Sequence, residues 1–269
     1  MTAEHNYTAS YALVNGLNLY YEIHGTGEAL LLLHGAYMST NAMEPLLSDL
    51  AKTRQVIALD FQTHGRTGDI DRPIRMETLA DDVAALLHFL NIPQTDIFGY
   101  SLGAGVALQV ALRYPELVRK LVLASVSYKT AGMYPEMLAG MDYITPEVFE
   151  GTPTKANYDQ IAPNPANFPV LVEKLKDFGT SVYDWPAESL QSIKAPTFLI
   201  LGDSDIVKPE HVVEMFRLFG GGVPGDMTGL PNSRLAILPG TTHVTVMERS
   251  AWIVPMVEEF LNLPLPAQA

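Results

Sequence analysis

The chain predicts an α/β fold, a mostly parallel central sheet flanked by helices, and three observations predict it. Short continuous apolar runs such as Ala29-Leu30-Leu31-Leu32-Leu33 read as strands buried on both faces. They alternate with longer segments of helical periodicity, as in 76–90, where Leu79, Val83, Leu86 and Leu90 share one face. Between them lies a strand, a Gly-x-Ser-x-Gly turn and a helix-forming run, Asp96-Ile97-Phe98-Gly99-Tyr100-Ser101-Leu102-Gly103-Ala104-Gly105.

The elements follow in order. An opening hairpin pairs 11–14 with 17–23 across Asn15-Gly16, which tolerates the positive φ of a two-residue turn. The buried run 29–33 comes next, then a helix over 39–52, a strand over 55–59 and the helix over 76–90. A strand over 95–99, a helix over 102–114 and a strand over 117–124 complete the first half. The alternation then breaks. Residues 126–193 are rich in Pro, Met and aromatics, show no period-2 strand, and predict a mostly helical insertion. The sheet pattern resumes at 195–201, followed by a helix over 209–219, a strand over 233–238 and a last helix over 245–261, kinked at Pro255. The expected division is a core of 1–125 and 194–269 with 126–193 as a separate helical unit. The Gly-rich stretch 220–231 is an unusually long connection, read as either a gate or a surface insertion.

Composition narrows the function. Thirty acidic against 17 basic residues give a net charge of −13, which argues against nucleic acid and anionic membrane surfaces as partners. With no cysteine, disulfides, thiolate metal sites and cysteine nucleophiles are excluded. The opening Met-Thr-Ala-Glu-His-Asn-Tyr lacks a basic stretch followed by an apolar one, so no signal peptide is expected. The longest apolar run, 29–33, is far short of a membrane span. A soluble cytoplasmic protein is expected, a monomer or homodimer. No cofactor or metal motif is present.

Ser101 is the candidate nucleophile. The tight strand-to-helix bend needs glycine at its flanks and aims helix N–H groups beside the serine oxygen. A serine hydroxyl needs a general base, and the base needs an acid to fix its tautomer. His243 lies in a loop after a strand, where a base can reach the carboxyl edge of the sheet, whereas His211 sits a turn into a helix and reads as exposed and structural. Asp205, out on the loop after 195–201, is the expected acid. Asp203, directly after Gly202, is the alternative and equally able to cap its own turn. Negative charge on a substrate oxygen needs two N–H donors, and Leu102 and Ala36 are the candidates for this oxyanion hole. His34 reads as a brace for its loop.

Leu33-His34-Gly35-Ala36, Asp60-Phe61-Gln62-Thr63-His64-Gly65-Arg66-Thr67, Gly99-Tyr100-Ser101-Leu102-Gly103, Gly202-Asp203-Ser204-Asp205 and Gly240-Thr241-Thr242-His243 resemble, in order, the motifs of the α/β-hydrolase superfamily. The resemblance runs from residue 33 to 243. It implies Ser101, Asp205 and His243 as a catalytic triad, Ala36 and Leu102 as the oxyanion hole, and 126–193 as a lid or cap. The second block departs from the usual Asp-x-Pro-Gly-His-Gly-x-Ser: Gln62, Thr63 and Thr67 replace Pro, Gly and Ser. That block is structural in the family, so the departure bears on loop shape and not on catalysis.

Within that superfamily, serine at the elbow argues against dehalogenase- and epoxide-hydrolase-like members, which use aspartate there. The absence of His-Gly-Gly-Pro-Gly argues against proline iminopeptidases. Val244, where carbon–carbon hydrolases usually carry Trp, and Ala36-Tyr37, where perhydrolases usually carry Trp or Phe, weaken those two alternatives. The resemblance therefore implies hydrolysis of a small-molecule carboxylic ester, lactone or thioester, with a slow-turnover ligand sensor as the alternative of another class. Met133, Met137 and Met141 form a candidate stripe for an acyl chain, with ordinary packing of a helix onto the core as the other reading. Tyr37, Tyr100, Trp185 and Val244 are the other candidate pocket residues, and Tyr128, Tyr183 and Trp185 at the junctions of the insertion read as pocket walls or as hinge packing.

Overall fold

The computed structural model describes residues 7–265. Residues 1–6, most of the opening stretch read as lacking a leader, lie outside it. Among these described residues eight strands form one sheet: β1 (Tyr7–Val14), β2 (Leu17–His24), β3 (Ala29–Leu33), β4 (Gln55–Leu59), β5 (Thr95–Tyr100), β6 (Val118–Ala124), β7 (Thr197–Ser204) and β8 (Arg234–Thr242). Their order is β1-β2-β4-β3-β5-β6-β7-β8. β1 and β2 are antiparallel, and every pair from β4 to β8 is parallel.

Among the described residues ten α-helices surround it: α1 (Leu46–Leu50), α2 (Met76–Phe89), α3 (Leu102–Arg113), α4 (Pro135–Met141), α5 (Pro153–Ile161), α6 (Phe168–Thr180), α7 (Ala187–Ser192), α8 (Pro209–Leu218), α9 (Gly225–Thr228) and α10 (Ser250–Asn262). Alternate residues of each central strand enter cores on opposite faces. Leu31, Leu33, Ile97 and Leu121 pack with α2 and α3. Leu30, Leu32, Phe98 and Val122 pack with α1 and α10. Continuous apolar runs were the right signal because both faces are covered.

Three elements differ from the sequence reading. The helix expected over 39–52 is a 3-10 turn, Thr40–Met43, and the short α1, divided at Pro45, which has no N–H to donate. The last helix begins as a 3-10 turn, Val244–Arg249, before α10 runs through Pro255. The 220–231 connection contains the one-turn α9. Among the described residues no helix is long and apolar enough to cross a membrane.

The 126–193 segment carries α4 to α7 and leaves and rejoins the sheet at one place. Lys129 bridges Asp184, and the Thr130 N–H donates to the Tyr183 carbonyl at 2.8 Å. Because β5 to β8 are parallel, the residues after Tyr100, Ala124, Ser204 and Thr242 all emerge at the same edge of the sheet. That shared edge is what positions the site.

Candidate active site

Ser101 occupies the bend between β5 and α3 at φ 53°, ψ −116°, a left-handed conformation that a serine adopts only under constraint. The constraint is close packing. A Cβ on Gly99 would overlap the Gly103 carbonyl oxygen, and one on Gly103 would overlap the carbonyl of Leu33. Only glycine lets α3 start this near the sheet.

The Ser101 hydroxyl donates to His243 Nε2 at 2.9 Å, and His243 Nδ1–H donates to Asp205 Oδ1 at 2.8 Å. Burial alone would raise the Asp205 carboxyl. The His243 contact, the Ser125 hydroxyl and the Val207 N–H outweigh burial and hold it below the usual carboxylate range. Asp205 is thus an ionised acceptor for the imidazole at neutral pH. Ser125 is a partner that the sequence reading missed: its hydroxyl donates to Asp205 Oδ2 at 2.6 Å. Its position directly after β6, at the same edge as Ser101, was the available signal.

Asp203 is exposed and serves another purpose. Its carboxylate accepts the N–H groups of Gly240 (2.9 Å) and Thr241 (3.1 Å), which pins the turn leading to His243. The two histidines set aside also have definite places. His34 donates from Nδ1 to the Gly35 carbonyl at 2.7 Å and accepts the Phe61 N–H at Nε2, so both ring nitrogens are committed to bracing loops. His211 corrects the expectation of exposure: only 3% of it is accessible, its Nε2 lies 3.0 Å from the Ser127 hydroxyl, and Tyr128 stacks on its ring. α8 presents that face to the start of the 126–193 segment.

In the departing motif block, Thr67 donates its hydroxyl to the Asp60 carbonyl and accepts the Tyr20 N–H. Gln62 reaches the carbonyls of Ile70 and Arg72. These substitutes tie the loop through their own side chains.

A cavity of about 120 Å³ opens beside Ser101 and His243. Ala36, Tyr37 and Leu102 line it on the core side, and Met133 on the other. Leu102 is the first residue of α3, so its N–H has no acceptor within the helix. Four candidate pocket residues are not among its lining. Met137 is replaced by Leu138 and Met141, because α4 starts at Pro135 and leaves Met133 extended, bridging Val207, which breaks the methionine stripe. Tyr100 points to the opposite face of the sheet from its position on β5. There its hydroxyl donates to the His243 carbonyl at 2.8 Å. Val244 opens the 3-10 turn with 71% of its surface exposed. Trp185 lines a neighbouring hollow near the surface. The lining also includes Tyr183, one of the junction residues, and Met76, Leu175 and Phe178, which no sequence motif marked.

A family model described as the alpha/beta hydrolase fold matches residues 28–179. An uncharacterised protein of Mycobacterium tuberculosis is 25% identical over 293 residues, covering 97% of this chain and 83% of its own. The 2-hydroxymuconate semialdehyde hydrolase of a Pseudomonas species is 33% identical over 124 residues, 45% of this chain and 42% of that one. The crystal structure of an alpha/beta hydrolase enzyme from a deep-sea metagenome library superposes with a TM-score of 0.75 at 22% identity, over 97% of this chain and all of that chain.

Proposed function

The chain belongs to the α/β-hydrolase family, and from that premise we propose that it hydrolyses carboxylic esters, with lactones and thioesters as close variants. The observation that carries this reading is the relay from Ser101 through His243 to Asp205, with contacts of 2.9 and 2.8 Å, at the mouth of a cavity lined mainly by apolar side chains.

In the first half-reaction the Ser101 oxygen attacks the ester carbonyl carbon as His243 Nε2 takes its proton. The carbonyl oxygen becomes an oxyanion held by the N–H groups of Leu102 and Ala36, with the N-terminal end of α3 adding favourable potential. Collapse expels the alcohol oxygen, which takes the proton from His243, and leaves an acyl group on Ser101. In the second half a water loses a proton to His243 and attacks that acyl carbon. The new oxyanion collapses, Ser101 regains its proton, and the acid departs. Asp205 stays ionised throughout and stabilises the imidazolium. The 126–193 segment acts as a cap that walls the acyl group away from solvent.

Carbon–carbon hydrolysis is the second reading, favoured by the similarity to a 2-hydroxymuconate semialdehyde hydrolase. The same relay would serve it. The test is turnover of p-nitrophenyl esters from acetate to palmitate at pH 8, with Ser101→Ala as control. Sustained release that vanishes in the variant supports the esterase. A single burst per Ser101 points to a sensor, and turnover of a ring-fission product without ester turnover points to the second reading.

A further inference from the structure

Two hollows meet at the Ser101 edge of the sheet. The inner one, about 120 Å³, has Ser101 and His243 in its wall. The outer one, about 170 Å³, lies beside the first turn of α2, where Arg75, Glu77, Val182 and Trp185 line it. Met76, Phe178 and Tyr183 line both, so these three side chains are the wall between them.

The three are not equally fixed. Tyr183 is anchored by its N–H, which donates to the Thr130 hydroxyl at 2.9 Å, and by its own hydroxyl, which reaches the Ser127 carbonyl. Met76 is buried against Gly105, where a Cβ would overlap its sulfur. Phe178 is half-buried on the last turn of α6. Its neighbour Asp177 pairs with Arg75 at 2.8 Å on the surface, which holds α6 against the start of α2. That pair is exposed and weak, so Phe178 is the least anchored of the three.

The chemistry of the inner wall is one-sided. Among the described residues no Lys, Arg, Asp or Glu lines it, and Met76, Met133, Leu138, Met141 and Leu175 surround the space beyond Ser101. A carboxylate entering there would lose its hydration with no cation to meet it. We infer that the inner hollow is an acyl-chain channel for uncharged, unbranched chains, and that Phe178, which closes it off from the outer hollow, is the stop that sets the longest chain held. The word acyl rests on the esterase reading above; the channel and its stop do not.

The test therefore separates binding from turnover. The full chain carrying Ser101→Ala and Trp252→Phe keeps Trp185 as its only tryptophan. It is titrated with primary alcohols from butanol to dodecanol while Trp185 emission is followed. With Phe178 in place, affinity climbs with length and then levels, and emission stays constant. Phe178→Ala raises dodecanol affinity relative to butanol by about tenfold, what burying two methylenes yields, and makes Trp185 emission respond. Phe178→Leu gives an intermediate shift if the alanine variant does not fold. An unchanged length dependence in both variants overturns the stop, and dodecanoate binding as tightly as dodecanol at pH 8 overturns the uncharged class. If alcohols show the break while the wild-type chain releases no p-nitrophenol, the channel is supported and the esterase reading fails.

Discussion

Tyr100 holds the backbone carbonyl of His243 with its hydroxyl at 2.8 Å, and its ring lies 5.3 Å from the imidazole. The residue before Ser101 thus positions His243 from the far side of the sheet. A Cβ on Gly35 would press on the same tyrosine ring, so the loop carrying Ala36 and the loop carrying His243 both lean on one side chain. Tyr100→Phe removes one hydrogen bond, worth roughly 1 kcal/mol. The expected result in steady-state assays is a fall in kcat of about fivefold with little change in KM.

Asp205 and Ser125 separate two effects. Asp205→Asn removes the charge that fixes the His243 tautomer, and kcat should drop by roughly 10³–10⁴. Ser125→Ala leaves Asp205 its contacts with His243 and the Val207 N–H, so a loss of about tenfold or less is expected. Parallel kinetics on both variants check the ranking.

Gly103→Ala should damage folding before catalysis. The added methyl would collide with the carbonyls of Leu33 and His34, which are backbone and cannot swing aside. A cost of about 3 kcal/mol or more is expected. It is read as a lowered urea midpoint or as loss of soluble protein.

Stability should fall on mild acidification. Burial pushes His34 down to about 3 and His64 down to about 4. The unfolded chain therefore takes up protons on these rings below about pH 6.5, which the folded chain refuses. Each costs about 1.4 kcal/mol per pH unit within that window. Asp60, pushed up to about 6 by burial, works with the opposite sign below that value and offsets part of the loss. Urea titrations between pH 7.5 and 5 on wild type and His64→Asn isolate the effect: the variant should show a slope shallower by one proton.

The strands of the sheet could be read from the sequence because a strand covered on both faces has to be apolar along its whole length, as 29–33 is. Ser101, Asp205 and His243 stood out as residue types placed just after such strands. What escaped depends on where helices begin and which way they turn. The methionine spacing at 133, 137 and 141 suggested one stripe, yet Pro135 opens α4 after Met133 has already passed. Phe178 carries no local signature; it matters because α6 folds back over Met76, a contact between distant parts of the chain. His211 looked like a surface residue because the burying partner, Ser127–Tyr128, comes from across a gap of more than eighty residues.

The hydrogen bond between Ser101 and His243 joins residues 142 apart in the chain, and β6 and β7 stand between their strands. Loop closure of that length is entropically expensive, and contacts so remote in sequence form slowly. A chain that has assembled only β1 to β6 lacks β8 and with it the loop that brings His243 to Ser101. Hydrolytic competence is thus a timer for completion of the sheet: after dilution from denaturant, activity should return with the slowest phase, later than helical circular dichroism.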